Sequence, residues 1–253
     1  LKTEDKQIQV RPDYVLENVN ELGKIDLILI CVKSYDLDNV ITNIKEKISE
    51  DTILLPLLNG VDIYERIRKN LSKGFVLPAC VYVGTHIEEY GIISQKGGDG
   101  KIIFGKDPKK TDFYPSEVIE LFRRLKINFS FTEDPYKEIW TKYMFIAAYG
   151  LVTAKSGKTL GEVLEDSKLI RDVRGIMAEI KMISDKRNIS LDNNVVMNSI
   201  DKARSFPYTT KTSFQRDVEN PNKKNEKDLF GGTIIRMGKE YNIDTKYTEK
   251  YYY

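Results

Sequence analysis

Histidine occurs once in this chain of 253 residues, as His86, and cysteine twice, as Cys31 and Cys80. A Ser-His-Asp or Cys-His mechanism would have to run through His86. A zinc site would need it together with distant cysteines. His86 stands in the alternating run Val81-Tyr82-Val83-Gly84-Thr85-His86-Ile87, so a strand-edge histidine is expected and no metal site. Both cysteines sit in apolar runs and read as small core residues in a reducing compartment. Long hydrophobic runs are missing too. The longest, residues 27–32, is strand-sized and far from the ~18 residues that span a bilayer. With no secretory signal pattern either, a cytoplasmic protein without a membrane partner is expected. Neither sign of charge dominates: Lys+Arg is 40, Asp+Glu is 38 and the net charge is +2. The signs are interleaved, so no basic stripe marks a nucleic-acid partner.

What is present is globular in character. A hydrophobic fraction of 41% against 31% charged excludes a disordered chain, and the length leaves room for two domains. Residues 25–32 form a short apolar run ending at Lys33, the mark of a buried parallel strand. Ser34 or Asp36 can cap a following helix, with Leu37, Val40, Ile41, Ile44 and Ile48 at helical spacing. Residues 52–58 repeat the strand, and Asn59-Gly60 closes it. Val61, Ile63, Tyr64, Ile67 and Leu71 then give a second helix. This rhythm predicts a parallel sheet with crossover helices. Residues 75–83 and 91–94 read as further strands, Gly97-Gly98-Asp99-Gly100 as a turn, and residues 101–105 as the strand leaving it. Pro115 opens a helix with Val118, Ile119, Phe122 and Leu125 facing in, and residues 128–132 are the last strand. Helices follow from Pro135 to about Lys155 and from Ser167 to Arg187, with two or three more behind them. The prediction is an α/β domain over residues 1–133 and an all-α domain over residues 134–253. The terminal Tyr251-Tyr252-Tyr253 has no functional reading.

Ligands of open parallel sheets bind beyond the carboxyl ends of the strands. Two such ends carry polar residues: Val32-Lys33-Ser34 and Leu58-Asn59-Gly60. Ordinary strand-to-helix turns account for both equally well; a lysine and an asparagine at neighbouring ends also suit a ribose and a carbonyl-bearing ligand. Lys142 is more telling, because most of its neighbours in residues 138–148 are apolar. It could snorkel, with its stem over apolar surface and its amine in water. Alternatively it serves a cleft, where burial would lower its pKa and a nearby carboxylate would oppose that shift. Glu226 precedes an apolar helix containing Gly231-Gly232. A helix-start carboxylate favoured by the dipole is its simplest account.

Taken in order, these segments resemble the ketopantoate reductase (2-dehydropantoate 2-reductase) family over essentially the whole chain. The resemblance rests on Asp26-Leu27-Ile28-Leu29-Ile30-Cys31-Val32-Lys33-Ser34, on Pro56-Leu57-Leu58-Asn59-Gly60-Val61, and on Cys80-Val81-Tyr82-Val83 with Gly91-Ile92-Ile93. Trp140-Thr141-Lys142, Ser213 to Asp217, and Glu226-Lys227-Asp228 complete it. No one motif is strong; their order and spacing together are specific. The resemblance implies an NADP-dependent oxidoreductase that reduces a small 2-oxo acid with NADPH, most directly 2-dehydropantoate to pantoate in pantothenate biosynthesis. It implies a Rossmann-like N-terminal domain and a helical C-terminal domain for substrate and dimerisation, with the active site between them; a homodimer stays open. Position by position it implies Lys142 as the catalytic lysine and Glu226 as the active-site glutamate. Val32, Lys33, Asn59, Gly60 and Glu226 fall to the cofactor, and Asn59, Lys142, Ile146 and Ser213 to the substrate. The stretch from Ser213 to Glu226 is one residue longer than the family pattern. The chemistry suits these types: hydride arriving at a ketone carbon leaves an alkoxide, which an ammonium stabilises and protonates.

Two departures matter. The family opens with a strand and G-x-G-x-x-G, whose backbone amides hold the pyrophosphate. No such pattern occurs here, and the turn at Gly97-Gly98-Asp99-Gly100 does not replace it. Because Leu1 is not Met, the Rossmann-like domain is expected to be incomplete at its start, and the NAD/NADP choice to lie in the absent segment. Second, the best-known members carry asparagines four and eight residues after the lysine, where this sequence has Ile146 and Gly150. Both fall on the lysine's helical face; an isoleucine cannot hydrogen-bond, and a glycine offers only space. The alternatives are a related hydroxy-acid dehydrogenase with a more apolar substrate and a non-catalytic cofactor-binding paralogue.

Overall fold

The computed structural model describes residues 1–3, 6–220 and 222–253. The chain falls into two compact units. One holds Leu1–Val32, Asp36–Leu58 and Ile63–Pro135; the other holds Lys33–Tyr35, Asn59–Asp62 and Tyr136–Tyr253. Apart from the short segments 33–35 and 59–62, the units divide between Pro135 and Tyr136. The polar turns after the first two strands group with the C-terminal helices, while the strands and helices on either side of them stay with the sheets.

In the first unit, β1 (Leu27–Ile30), β2 (Ile53–Pro56) and β3 (Phe75–Val76) form a parallel sheet in that order. Leu27 lies opposite Ile53, and Ile53 opposite Phe75. The middle strand β2 is buried at every residue, as a two-sided parallel strand must be. Helices α1 (Leu37–Ile44) and α2 (Ile63–Asn70) supply the crossovers. β1 ends at Ile30, two residues short of the apolar run. Cys31 therefore lies past the ladder and is exposed, against the expectation of a core thiol, while Cys80 is buried.

The predicted strand over residues 75–83 is broken at Leu77-Pro78, where proline has no N–H to give a ladder; β4 (Ala79–Tyr82) resumes beyond it. The hairpin β5 (Thr85–Glu89) and β6 (Ile92–Gln95) carries His86 as an exposed residue. β7 (Lys101–Phe104) pairs antiparallel with β4 and parallel with β8 (Phe129–Phe131). Helix α3 (Ser116–Arg124) starts just after Pro115. Its Val118, Ile119 and Phe122 share a core with Leu55, Leu77 and Phe104. Beside that core sits Asp107, fully buried. It accepts from the Tyr64 hydroxyl at 2.7 Å and from the N–H groups of Val76 and Lys109, each at 2.9 Å, and pairs with Arg68. Arg68 in turn donates to the carbonyls of Lys73 and Gly74 at 3.1 and 3.0 Å.

The second unit is helical: α4 (Pro135–Ser156, entered from the first unit at Pro135), α5 (Leu160–Glu165), α6 (Ser167–Lys186), α7 (Val195–Arg204), α8 (Ser213–Val218), α9 (Thr233–Tyr241) and α10 (Lys246–Tyr252). Among the described residues four α-helices follow α6, more than the periodicity predicts, because α8 and α10 are too short to show a pattern. Thr159 and Glu162 form a reciprocal capping box at α5. The buried stripe of α6, from Val173 through Ile176, Met177 and Ile180 to Ile183, faces the other helices. Glu179 accepts the N–H groups of Tyr247 and Thr248 at 2.7 and 3.0 Å, two donors that the first turn of α10 cannot satisfy itself. Tyr251 donates to Asp172 at 2.7 Å. Tyr252 packs so closely on Gly231 that a Cβ there would lie 2.6 Å from its ring. Tyr251 and Tyr252 are packing residues, whereas Tyr253 is exposed. No helix among the described residues is long and apolar enough to cross a membrane.

Candidate functional site

Four of the polar residues singled out by sequence, Lys33, Asn59, Lys142 and Glu226, form two pairs within the second unit. Lys142, half-buried on α4, donates from Nζ to Asn59 Oδ1 at 2.7 Å. Its amine is thus held by a carboxamide, which a snorkelling lysine would not need. Asn59 reaches this position because β2 has ended and Gly60 turns the chain with φ of 130°, a conformation that favours glycine.

A second cluster lies in the same unit. Lys33 Nζ donates to Asp217 Oδ2 at 2.7 Å and to Glu226 Oε2 at 3.3 Å. The other Glu226 oxygen accepts the Ser34 backbone N–H at 3.1 Å. Glu226 is almost fully buried, whereas the Lys33 side chain is 43% exposed. The account of Glu226 as a carboxylate serving its own helix start does not hold: it serves the 3₁₀ turn Ser34–Asp36 after β1. Burial pulls the Lys33 pKa down, but the hydrogen bond to Asp217 and the charges of Glu226 and Asp217 outweigh it, and the net shift is upward.

The remaining positions are less engaged. Val32 is half-buried beside Lys33, Ile146 is half-buried one turn beyond Lys142, and Ser213 is exposed at the first position of α8. Gly150 departs from expectation. It does not face open space: a Cβ there would lie 3.5 Å from the Phe214 ring, in ordinary van der Waals contact. Thr212 caps α8 by accepting from Gln215 N–H at 3.1 Å, and its hydroxyl meets that of Thr153 on α4 at 2.9 Å. The segment from Ser213 to Asp217 carries part of the family resemblance, but the sequence gives Asp217 and Phe214 no role of their own. The available signal for Asp217 was its position one helical turn beyond Ser213.

Residues 1–109 match the family described as ketopantoate reductase PanE/ApbA, and residues 134–253 match its C-terminal counterpart. The chain belongs to the ketopantoate reductase family. It has that family's α/β Rossmann-like first domain and helical second domain. An uncharacterized oxidoreductase of Bacillus subtilis, YkpB, is 25% identical over 252 residues, covering 100% of this chain and 82% of the relative. The crystal structure of 2-dehydropantoate 2-reductase from Geobacter metallireducens superposes with a TM-score of 0.86 at 19% identity, covering 99% of this chain and 83% of that one. D-mandelate dehydrogenase, solved with NADH and anilino(oxo)acetate, gives a TM-score of 0.78 at 20% identity, covering 92% and 76%.

Proposed function

We propose that this ketopantoate reductase family member reduces a small 2-oxo acid with NADPH, 2-dehydropantoate to pantoate being the leading reaction. The observation that carries this is the bond from Lys142 to Asn59 in the same compact unit as the Lys33–Glu226 pair. The residues suit the nicotinamide-ribose end of a dinucleotide. Carboxylates accept ribose hydroxyls, and the backbone donor at Ser34, which could otherwise take a phosphate, is already taken by Glu226. A phosphate beside both Asp217 and Glu226 would be repelled. Val32, Lys33, Asn59, Gly60 and Glu226 would therefore hold that end. When bound, the cofactor supplies hydride to the ketone carbon. The Lys142 ammonium stabilises the developing alkoxide and donates its proton to that oxygen. Asn59 fixes the ammonium without adding charge, and Ser213 at the start of α8 would bind the substrate.

A more apolar substrate is a second reading, favoured by Ile146 beside Lys142 and by Phe214 over Gly150. One assay addresses both. Nicotinamide oxidation is followed with 2-dehydropantoate, with its analogue lacking the hydroxyl, and with an aryl 2-oxo acid, in wild type and Lys142→Ala. Turnover lost in the variant supports the reading; equal turnover in both proteins overturns the role of Lys142.

A further inference from the structure

Between Glu226 and α9 the helix widens into a π-turn, Asp228–Gly232, closed by the Thr233 N–H donating to Asp228 O. Such a turn interrupts the regular carbonyl ladder and recurs at functional sites. Here the interrupted carbonyls have an outside donor. The hydroxyl of Tyr143, the residue after Lys142, donates to Leu229 O at 2.7 Å and to Phe230 O at 3.1 Å. Tyr143 is 1% exposed, so its hydroxyl has no bulk water to turn to. The Phe230 ring packs against Tyr143 and Phe214, at centroid distances of 6.4 and 5.2 Å. One turn upstream, Phe230 N–H returns to Glu226 O at 3.1 Å.

We infer that Tyr143 is a positioning residue: its hydroxyl holds the π-turn in register and so keeps the Glu226 carboxylate on Ser34 N–H and Lys33 while its neighbour Lys142 sits on Asn59. The physical reason is geometric. Closing a π-turn to ordinary α-helix rotates the chain before it relative to the chain after it by one residue, about 100° and 1.5 Å of rise. That rotation would carry Glu226 off Ser34. Two glycines leave room for the wide turn. A Cβ at Gly232 would lie 2.2 Å from Asp228 Oδ1, and one at Gly231 would meet Tyr252.

The importance of the Glu226 placement rests on the proposed reductase reading, so the test has a readout that needs no activity. Tyr143→Phe keeps the ring and removes the proton. Amide hydrogen exchange at Ser34 is expected to speed up at least tenfold relative to the buried amides of α6, with kcat falling about tenfold and KM little changed. Unchanged protection at Ser34, or a loss that only parallels α6, overturns the inference. If wild type turns over no 2-oxo acid, the functional reading fails while the exchange result still decides this one. If the variant does not fold, native-state exchange of wild type in rising denaturant replaces it. Ser34 and residues 229–233 opening together, ahead of α6, support the coupling; separate openings overturn it.

Discussion

Two of the clusters that pair basic side chains with carboxylates, around Asp107 and around Glu226, differ in access. Around Asp107 everything is sealed: the Asp107 and Arg68 side chains are 0% and 5% exposed, and backbone donors complete the shell. Around Glu226 one member is open: Lys33 is 43% exposed and Asp217 24%. A sealed pair has no surface to offer a ligand, and breaking it leaves an uncompensated charge in the interior. A half-open pair contributes little to stability but can exchange partners. The first cluster ties the loop after α2 to the core; the second keeps a charged face open to solvent.

The sharpest separation comes from Lys142→Ala. It should lower kcat on the order of 10²–10⁴-fold, the reach of general acid catalysis, and leave the urea midpoint near that of wild type. Asp107→Ala should do the reverse, costing about 3–5 kcal/mol of stability in equilibrium unfolding, with turnover per folded molecule unchanged. If Asp107→Ala instead abolishes turnover in a stable protein, the division into sealed and usable clusters is wrong. Ile146→Asn should move the kcat/KM ratio of 2-dehydropantoate to its deshydroxy analogue by about 1–3 kcal/mol toward the hydroxylated substrate. A ratio that does not move makes Ile146 a packing residue.

The smallest effect is a pH signature of opposite sign in the two clusters. Burial raises the Asp107 pKa, but the hydrogen bonds from Val76, Tyr64 and Lys109 and the Arg68 charge outweigh it and leave it below the ordinary 3.8. Its stabilisation is present above that value and fades as pH falls through the lowered one. The raised pKa of Lys33 acts at the other end. Its stabilisation is complete below the ordinary 10.5 and is lost as pH rises through the raised value. Urea midpoints across pH should lose their acid limb in Asp107→Asn and a shallower alkaline limb in Lys33→Met. Matching limbs in both variants would erase the contrast.

The sheet and long helices were legible because strand-sized apolar runs and a helical stripe such as Val173 to Ile183 are periodic signals. The pairing of Lys142 with Asn59 was not: they are far apart in sequence, and only the resemblance placed them at one site. Asp107 gave no signal at all, since an aspartate before a proline reads as a loop residue until the fold brings Tyr64, Arg68 and Val76 to it. The Phe214 ring beside Gly150 was not legible either, because it comes from another helix. The broken strand at Leu77-Pro78 was readable from the proline alone.

The contact of Tyr252 with Gly231 makes α10 a handle on the π-turn that follows Glu226. Helix α10 is anchored on Glu179 and Asp172 and presses Tyr252 onto the turn behind Glu226. An aromatic-to-fluorinated replacement at Tyr252 would offer a local spectroscopic reporter of the site.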